Sequence, residues 1–363
     1  MGNSTKVPGQ VVTVLTIDTG NVNDTFRVIK RTTYSEVQFV LQRISSAVFT
    51  RPDLVMANMK AITDYAHERL KEQASKANRI WQLPRVIPTL DGQDYFRDEK
   101  GEYWRALSMI ASATSHEKVL NPEHAQEAGY VLGHFQRIIA NFPAEQLADT
   151  LPGFHITPGY LKQFDDILQT DQAEKKLAAS SEARRIESFI QERREFASIL
   201  EDALERGELK LRPIHGDPKI TNIMIDDITG KGTAIIDLDT VKPGLIHYDF
   251  GDCVRSVCNP VGEEAKDLGD VLINIDFFEA LVRGYLKQAR NFLTDWDRKY
   301  LFDSARLISF ELGLRFFTDY LAGDVYFKIN YEPQNLNRAR VQMKLCESIE
   351  TRESMMRRVL DSI

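Results

Sequence analysis

The 363-residue sequence predicts an α+β fold with two lobes, a small β-rich N-terminal lobe and a larger, mostly helical C-terminal lobe. Three observations lead to this prediction. Two-residue alternation of apolar and polar side chains recurs through the first hundred residues, helical periodicity dominates from Asn121 onward, and one strand-like island at 214–244 interrupts the helical part. We expect the lobes to comprise residues 1–112 and 113–363.

The N-terminal lobe is predicted to be a mostly antiparallel sheet interrupted by one long helix. Its strand-like segments are 11–18, 25–31, 36–44, 85–92 and 102–110. The helix is indicated between Leu54 and Leu70, where apolar side chains recur at intervals of three and four residues.

The C-terminal lobe begins with a well-defined helix start. Asn121 can cap the helix and Pro122 can occupy its first turn, where a missing N–H group costs nothing. The strand-like island carries two short strands around the turn sequence DITGKG, which predicts a β-hairpin. Further helical segments are predicted at 187–208, 274–289, 295–322 and 338–360.

Composition restricts the partners of the protein. The 46 Lys and Arg residues are outnumbered by 53 Asp and Glu residues, so a general nucleic-acid binder is not expected, since such proteins need clustered positive charge. Three cysteines without metal-ligand spacing suit reduced, buried thiols. Apolar runs of about 18 residues, typical of a membrane span, do not occur. We therefore expect a cytoplasmic monomer or homodimer that binds small molecules.

The segment HGDPKITN, residues 215–222, carries the clearest chemical signal. Asp217 precedes Asn222 by five positions, and Asp237 ends the strand that follows the predicted hairpin. Phosphoryl transfer needs a carboxylate that orients the acceptor hydroxyl and takes its proton, together with oxygen ligands for Mg²⁺. Asp217 suits the first role, and Asn222 and Asp237 suit the second. Each residue alone is typical of a turn, so the prediction depends on their combination.

Two features of the N-terminal lobe indicate nucleotide binding. The turn between the first two strands contains Gly20, Asn21, Asn23 and Thr25, whose backbone N–H groups and small side chains can face phosphates. The third strand offers Arg43 as the basic residue for the α- and β-phosphates, where protein kinases have a lysine. The interrupting helix has no acidic residue near its centre to pair with that arginine.

The motif HGDPKITN and the segment AIIDLDT resemble the phosphotransferase family that contains aminoglycoside phosphotransferases and choline kinases. TGNVNDTF, FVLQRIS and NLNRARVQMKL extend the resemblance over residues 18–350 and bring it closest to the N-acetylhexosamine 1-kinases. The resemblance implies a protein-kinase-like two-lobe fold. It also implies transfer of phosphate from ATP, with Mg²⁺, to the 1-hydroxyl of an N-acetylhexosamine of the gluco or galacto series.

The same resemblance assigns roles to individual residues. It makes Asp217 the catalytic base, places Mg²⁺ on Asn222 and Asp237, and gives Asp239 a role at a second metal or at the phosphates. The segment RFFTDYLAGDVYF would line the sugar site through Arg315 and Tyr326, with Asp319 on the helix face of Arg315. Arg255 is a further candidate for that pocket, whereas FHITP, residues 154–158, is interpreted as an ordinary loop.

Two alternatives stay open at this point. The acceptor could be another small alcohol, such as an aminoglycoside, choline, homoserine or another sugar, or the chain could be a non-catalytic nucleotide-binding pseudokinase. An arginine in the acceptor pocket disfavours a cationic acceptor, and the presence of all three acid and amide groups disfavours a pseudokinase. Asp249, in the kinase-like letters DFG, is expected to support the catalytic loop rather than bind metal.

Overall fold

The computed structural model of the chain describes residues 5–17, 22–73 and 79–363, and it confirms the predicted two-lobe α+β fold. The first part of the chain forms most of its strands and one long helix. These elements are β1 (Gln10–Ile17), β2 (Asp24–Arg31), β3 (Glu36–Ile44), α1 (Pro52–Gln73), β4 (Val86–Ile87), β5 (Phe96–Arg97) and β6 (Tyr103–Ser108).

The N-terminal sheet is antiparallel throughout and has the strand order β1-β2-β3-β6-β4, with β5 also paired to β6. Because successive strand residues point to opposite faces, Phe39 and Leu41 of β3 share a buried face with Val28 of β2. The pairing of β3 with β6 sets Gln42 opposite Arg105.

Helix α1 connects this sheet to the rest of the molecule. Its buried residues Met59 and Ile62 belong to the main hydrophobic core, most of which is formed by the helices of the C-terminal lobe. The Asn58 side chain donates to the carbonyl oxygens of Ala148 at 2.8 Å and Val241 at 2.9 Å. These contacts satisfy buried polar groups and fix α1 against the loop that follows Asp237.

Two small sheets surround the residues of the HGDPKITN motif. The predicted hairpin is present as β9 (Ile223–Asp226) and β10 (Gly232–Ile235), and β7 (Ala113–Ser115) pairs with β9. The second sheet pairs β8 (Arg212–Ile214) with β11 (Lys242–Gly244). Since β6 belongs to the N-terminal sheet and β7 to the hairpin sheet, we propose that the lobe boundary lies at residues 112 and 113.

The remaining elements are helices, and their core lies around α2 and α8. Asn121 caps α2 by accepting from the His124 N–H at 2.8 Å, which confirms the predicted helix start. The helices are α2 (Pro122–Ile139), α3 (Thr157–Leu168), α4 (Asp171–Ala179), α5 (Ser181–Glu192), α6 (Ile199–Glu205), α7 (Ile246–Val257), α8 (Ile275–Ala289), α9 (Asp295–Lys299), α10 (Leu301–Ala322), α11 (Gln334–Thr351) and α12 (Glu353–Ser362).

The helical lobe differs from the sequence prediction in its interruptions. The stretch 187–208 is divided between α5 and α6 by a 3-10 turn at Arg194–Phe196, and the stretch 295–322 is divided at Tyr300. Arg193 donates to Glu350 and Arg194 donates to Asp165, so tertiary ion pairs hold the first interruption. Within the described ranges, none of the helices has the length and apolar character needed to cross a membrane.

Candidate active site

The loop that carries Asp217 is shaped by a glycine. Gly216 has a φ of +88°, and a Cβ atom at this position would lie 2.6 Å from the Thr240 carbonyl oxygen. Only glycine combines this conformation with such a close approach. The Thr240 hydroxyl also donates to the His215 carbonyl at 2.7 Å. Residues 215–222, called the catalytic loop for the role predicted from sequence, therefore lie directly against the segment that follows Asp237.

His215 connects the catalytic loop to the hairpin. Its Nδ1 accepts from the Asp217 N–H at 3.2 Å, and its Nε2 lies 2.9 Å from the Ile236 carbonyl. Burial lowers the pKa of His215, so the ring is neutral, with a proton on Nε2 that is donated to Ile236. The imidazole therefore fixes the separation between Asp217 and the neighbouring Asp237.

Asp217 keeps one carboxylate oxygen open. Its Oδ2 accepts from Lys219 Nζ at 2.7 Å and from Asn222 Nδ2 at 3.2 Å, whereas no described residue donates to Oδ1. Burial opposes ionisation, but the charge and hydrogen bond of Lys219 outweigh it and lower the pKa of Asp217. The carboxylate is thus ionised at neutral pH, with a free oxygen that can receive a hydroxyl proton.

Lys219 is a site residue that the sequence analysis missed. It follows Asp217 by two positions, and burial disfavours its charge, yet Asp217 and Asp237 together raise its pKa. A lysine between these two carboxylates offers a cation next to the position of a transferring phosphoryl group. Its position within HGDPKITN, two residues after Asp217, was the feature of the sequence that could have identified it.

Asn222 and Asp237 offer side-chain oxygens of the kind that a hard cation prefers. The Asn222 amide directs its NH₂ group to the Asp217 carbonyl at 2.7 Å, which leaves Oδ1 without a donor among the described residues. Asp237 has a left-handed backbone with φ of +66°, and no described residue donates to its carboxylate. Such backbone strain occurs at functional sites, and Mg²⁺ prefers this kind of donor, so both residues fit the metal.

The charge state of Asp237 reflects its crowded surroundings. The side chain reaches solvent through the cleft, but the protein around it desolvates the carboxylate, and the negative charge of Asp239 repels it. These effects raise the pKa of Asp237 to about 7. A bound divalent cation would remove the repulsion.

Asp239 is already paired in the structure. Its Oδ1 lies 2.5 Å from Arg105 Nη2, and its Oδ2 accepts from Asn23 Nδ2 at 2.6 Å. Both side chains of the ion pair are almost completely buried, with 1% of Arg105 and 3% of Asp239 exposed. The predicted role of Asp239 at a metal or at phosphates stays a prediction, and Arg105 is a second residue absent from the predicted site.

Asp249 supports the catalytic loop from below, as expected. The fully buried carboxylate accepts from the His215 N–H at 3.0 Å, from the Gly216 N–H at 2.8 Å and from Gln136 Nε2 at 3.0 Å. It lies in the first turn of α7, where the helix dipole favours a negative charge. The three hydrogen bonds hold the loop in place.

His155 supports the same loop from the other side. Its Nε2 lies 2.8 Å from the Gly216 carbonyl oxygen and its Nδ1 lies 2.9 Å from Glu311 Oε1. Burial disfavours the imidazolium, but Glu311 outweighs burial and raises the pKa of His155, so both ring nitrogens donate. The segment FHITP, interpreted from sequence as an ordinary loop, therefore holds a buried ion pair beneath Gly216.

The predicted phosphate-binding residues lie in different environments. Gly20 and Asn21 fall outside the described residues. The Asn23 amide contacts Asp239 and accepts from the Ser45 N–H at 3.0 Å, and the Thr25 hydroxyl accepts from Gln42 at 3.1 Å. Arg43 lies on the other face of β3, where it pairs with Asp24 and with Glu102 at 3.3 Å and is 40% exposed. The structure therefore brings Asn23, but not the guanidinium of Arg43, to Asp239.

Two of the predicted acceptor-site residues, Asp319 and Arg255, are bound by other groups of the protein. Asp319 accepts from the backbone N–H groups of Val325, Tyr326 and Phe327 at 2.8–3.0 Å, so it holds the loop after α10. Arg255 is buried in ion pairs with Asp252 and Glu263. Both carboxylate and guanidinium are thereby occupied by protein groups.

The Arg315 guanidinium, in contrast, is available to a ligand. Its guanidinium lies 5.0–5.5 Å from the ring centroids of Phe154, Tyr160 and Phe327, and no described residue accepts a hydrogen bond from it. The aromatic faces stabilise the cation while leaving its N–H groups available. Tyr326, with 58% exposure, borders this aromatic cluster through its contact with Phe327. The substrate roles of Arg315 and Tyr326 stay predictions.

Comparison with solved structures relates the fold to several kinases. A microcompartment-associated aminopropanol kinase is 16% identical, with a TM-score of 0.60 and coverage of 98% of this chain and 96% of that chain. An aminoglycoside phosphotransferase from Alicyclobacillus acidocaldarius is 12% identical, with a TM-score of 0.57 and coverages of 100% and 96%. A spectinomycin phosphotransferase in complex with ADP and spectinomycin is 13% identical, with a TM-score of 0.54 and coverages of 96% and 94%.

The sequence itself identifies the family. The model of the APH phosphotransferase enzyme family matches residues 13–302, which include the N-terminal sheet, the catalytic loop and the hairpin. This match spans most of the 363 residues. The chain therefore belongs to the phosphotransferase enzyme family.

Proposed function

We propose that the protein is a small-molecule kinase that transfers the γ-phosphoryl group of ATP to the anomeric 1-hydroxyl of an N-acetylhexosamine. The observation that carries the reaction class is the open Oδ1 of Asp217, next to Asn222 and Asp237. The side-chain oxygens of Asn222 and Asp237 accept no hydrogen bond from the described residues. The products are ADP and the sugar 1-phosphate. The hydroxyl oxygen forms the new P–O bond, the bond to the ADP oxygen breaks, and the hydroxyl proton passes to Asp217.

Asp217 acts as the base of this reaction. Lys219 and Asn222 hold Oδ2, so the rotation of the carboxylate is fixed and Oδ1 is presented to the acceptor. Gly216 is anchored through its N–H group by Asp249 and through its carbonyl by His155, which keeps the adjacent Asp217 in place. Positioning of this kind supplies much of the catalysis in phosphoryl transfer, where little covalent chemistry is left to the protein.

Asn222 and Asp237 would hold Mg²⁺, and Lys219 would lie close to the transferring group. When bound, Mg²⁺ neutralises charge on the phosphate oxygens and aligns them for displacement. Asp237 must be ionised to serve as a ligand, and its neighbours Lys219 and Arg105 favour the ionised form. The cluster thus contains the acid, amide and basic groups that the reaction requires.

The acceptor is inferred from the resemblance to N-acetylhexosamine 1-kinases and from Arg315. A permanently charged guanidinium with available N–H groups repels the ammonium group of an amino alcohol or an aminoglycoside. The same N–H groups suit the oxygens of a neutral sugar, such as its hydroxyl and acetamido carbonyl groups, and those of a phosphoryl group. A neutral acetylated sugar is therefore favoured over choline, ethanolamine or aminopropanol.

An ADP-release assay over an acceptor panel tests the proposal. The panel contains N-acetylglucosamine, N-acetylgalactosamine, glucose, galactose, homoserine, choline, aminopropanol and an aminoglycoside, each with ATP and Mg²⁺. We expect turnover on the N-acetylhexosamines and a product that carries phosphate on C1, identified by phosphorus and carbon NMR. Turnover confined to the amines would contradict the sugar assignment, and nucleotide binding without any turnover would indicate a pseudokinase.

Asp217→Asn provides the matched control for this assay. The substitution preserves the shape of the side chain but removes the proton acceptor, so turnover should fall by about two orders of magnitude or more. The affinity for ATP should change little, because the base acts mainly in the transition state. An equal loss of nucleotide binding would instead assign Asp217 a structural role.

A further inference from the structure

We infer that Arg105 is the cation that binds the phosphates of the nucleotide, and that Asp239 occupies its place on Arg105 in the nucleotide-free chain. The inference rests on the proposed ATP-dependent function and concerns the N-terminal side of the same site. It replaces Arg43, which the sequence analysis offered for this role.

The direction of the Arg43 side chain on β3 argues against Arg43 as the phosphate-binding cation. Gln42, the preceding residue, points to the face where Arg105 and Asp239 lie, so Arg43 points away from it. Arg43 is already held by Asp24 and Glu102 at the exposed side of the sheet. A kinase-like site needs a cation on the inner face, and Gln42 is neutral.

Arg105 supplies that cation from the neighbouring strand. It lies opposite Gln42 in the β3–β6 pairing, and Gln42 Oε1 accepts from its Nε at 2.9 Å and its Nη2 at 2.7 Å. On the side of α1, its Nη1 lies 4.0 Å from the sulfur of Met56. Among the described residues, its one carboxylate partner is Asp239 of the C-terminal lobe.

The surroundings of Asp239 resemble those of a bound phosphate oxygen. Two groups from separate parts of the N-terminal lobe converge on its carboxylate. The Arg105 guanidinium forms an ion pair with Oδ1 at 2.5 Å, and Asn23 Nδ2 donates to Oδ2 at 2.6 Å. Charge-assisted bonds of this length suit phosphate as well as carboxylate. The loop of Asn23 is also the turn that the sequence analysis assigned to the phosphates.

An exchange of partners follows from the charges. A buried guanidinium without a counter-charge is strongly unfavourable, so Arg105 and Asp239 should separate only when each gains a new partner. A nucleotide phosphate supplies an anion to Arg105 and Asn23, and the cation that accompanies the nucleotide supplies a partner to Asp239. The pair therefore competes with metal-free nucleotide and exchanges readily with the nucleotide–metal complex.

Calorimetric titration of the full-length protein with ATP tests this inference, once with EDTA and once with Mg²⁺. Arg105→Met should weaken ATP binding by about tenfold or more in both conditions, because a charge-assisted contact is lost. The matched control, Arg43→Met, should bind within about twofold of the wild type, as expected for a cation remote from the ligand. Asp239→Asn should strengthen binding of metal-free ATP by severalfold, since the competing carboxylate is gone, and should reduce the gain that Mg²⁺ provides.

Three results would overturn the inference. The first is a large loss of affinity in Arg43→Met with none in Arg105→Met. The second is an Arg105→Met protein that binds metal-free ATP like the wild type and loses only the gain from Mg²⁺, which would limit Arg105 to positioning Asp239. If Arg105→Met does not fold, unchanged or weaker binding of metal-free ATP by Asp239→Asn is decisive. Binding that behaves as expected without turnover on any acceptor would refute the proposed function alone.

Discussion

Replacement of Asp249 by Asn gives the sharpest test of how the catalytic loop is held. The carboxylate is fully buried and accepts three hydrogen bonds, from the His215 N–H, the Gly216 N–H and Gln136 Nε2. Asparagine has the same shape but only one acceptor oxygen. If that oxygen keeps the bond to Gly216, the new NH₂ group faces the two donors that share Oδ2 in the wild type.

Two buried donors then lose their acceptor, at a cost of about 1–2 kcal/mol each, so the free energy of unfolding should fall by about 2–4 kcal/mol. Equilibrium unfolding in urea measures this change as a shift of the midpoint at unchanged slope. ATP binding with Mg²⁺ should persist at temperatures where the variant is folded. An unchanged midpoint together with a lost response to Mg²⁺ would refute the scaffolding role and make Asp249 a metal ligand.

Three further predictions concern the cleft and the helical lobe. Asp237→Asn should abolish Mg²⁺-dependent turnover without lowering the free energy of unfolding, because it removes a carboxylate that Asp239 repels. Arg315→Met should raise the KM for the sugar while the KM for ATP stays within about twofold, since the guanidinium lies among acceptor-side aromatic rings. Glu201→Gln should flatten the pH dependence of stability, because burial raises the pKa of Glu201 to about 7 and outweighs the opposing effect of the hydrogen bond from Tyr248.

The sign of the Glu201 effect follows from its raised pKa. The folded protein binds the proton more tightly than the unfolded chain, so the stabilisation is complete below the ordinary carboxyl pKa and is lost as the pH rises through about 7. Between pH 5 and pH 8 the wild type should lose about 2 kcal/mol relative to the glutamine variant, allowing for partial exposure. Parallel urea titrations of both proteins measure this difference, and parallel pH profiles would contradict it.

For Asp237→Asn and Arg315→Met, the contradicting results are equally specific. Mg²⁺-dependent turnover that survives in Asp237→Asn would remove this residue from the metal site. An Arg315→Met variant with an unchanged KM for the sugar and a large loss of kcat would place the guanidinium at the transferring phosphoryl group instead. Each variant should be compared with the wild type at the same temperature and salt concentration.

The sequence was most informative where local chemistry alone determines the structure. The Asn121 cap with Pro122, the hairpin turn and the role of Asp249 were all predicted from residue type and spacing, and the structure has them in place. The interruptions of the helices were harder to predict from the sequence. Those at Arg194 and Tyr300 are held by contacts with residues far along the chain, which periodicity does not reveal.

The choice between Arg43 and Arg105 shows the limit most clearly. A shift of one position along a strand exchanges the two faces of the sheet, so a motif that is correct to within one residue can select the wrong side chain. The placement of Arg105 beside Gln42 depends on strand pairing between residues 63 positions apart. His155 and Lys219 were missed for a related reason, since their partners come together only in the folded chain.

The anchoring of Gly216 ties the proposed base to the helical lobe. Asp249 binds the Gly216 N–H and His155 binds the Gly216 carbonyl, so the adjacent Asp217 is held in a fixed position relative to the helical lobe. Arg105 and Asn23 of the N-terminal lobe, by contrast, contact Asp239 in the segment after β10. In the proposed reaction, separation of these contacts would move the nucleotide phosphates relative to Asp217.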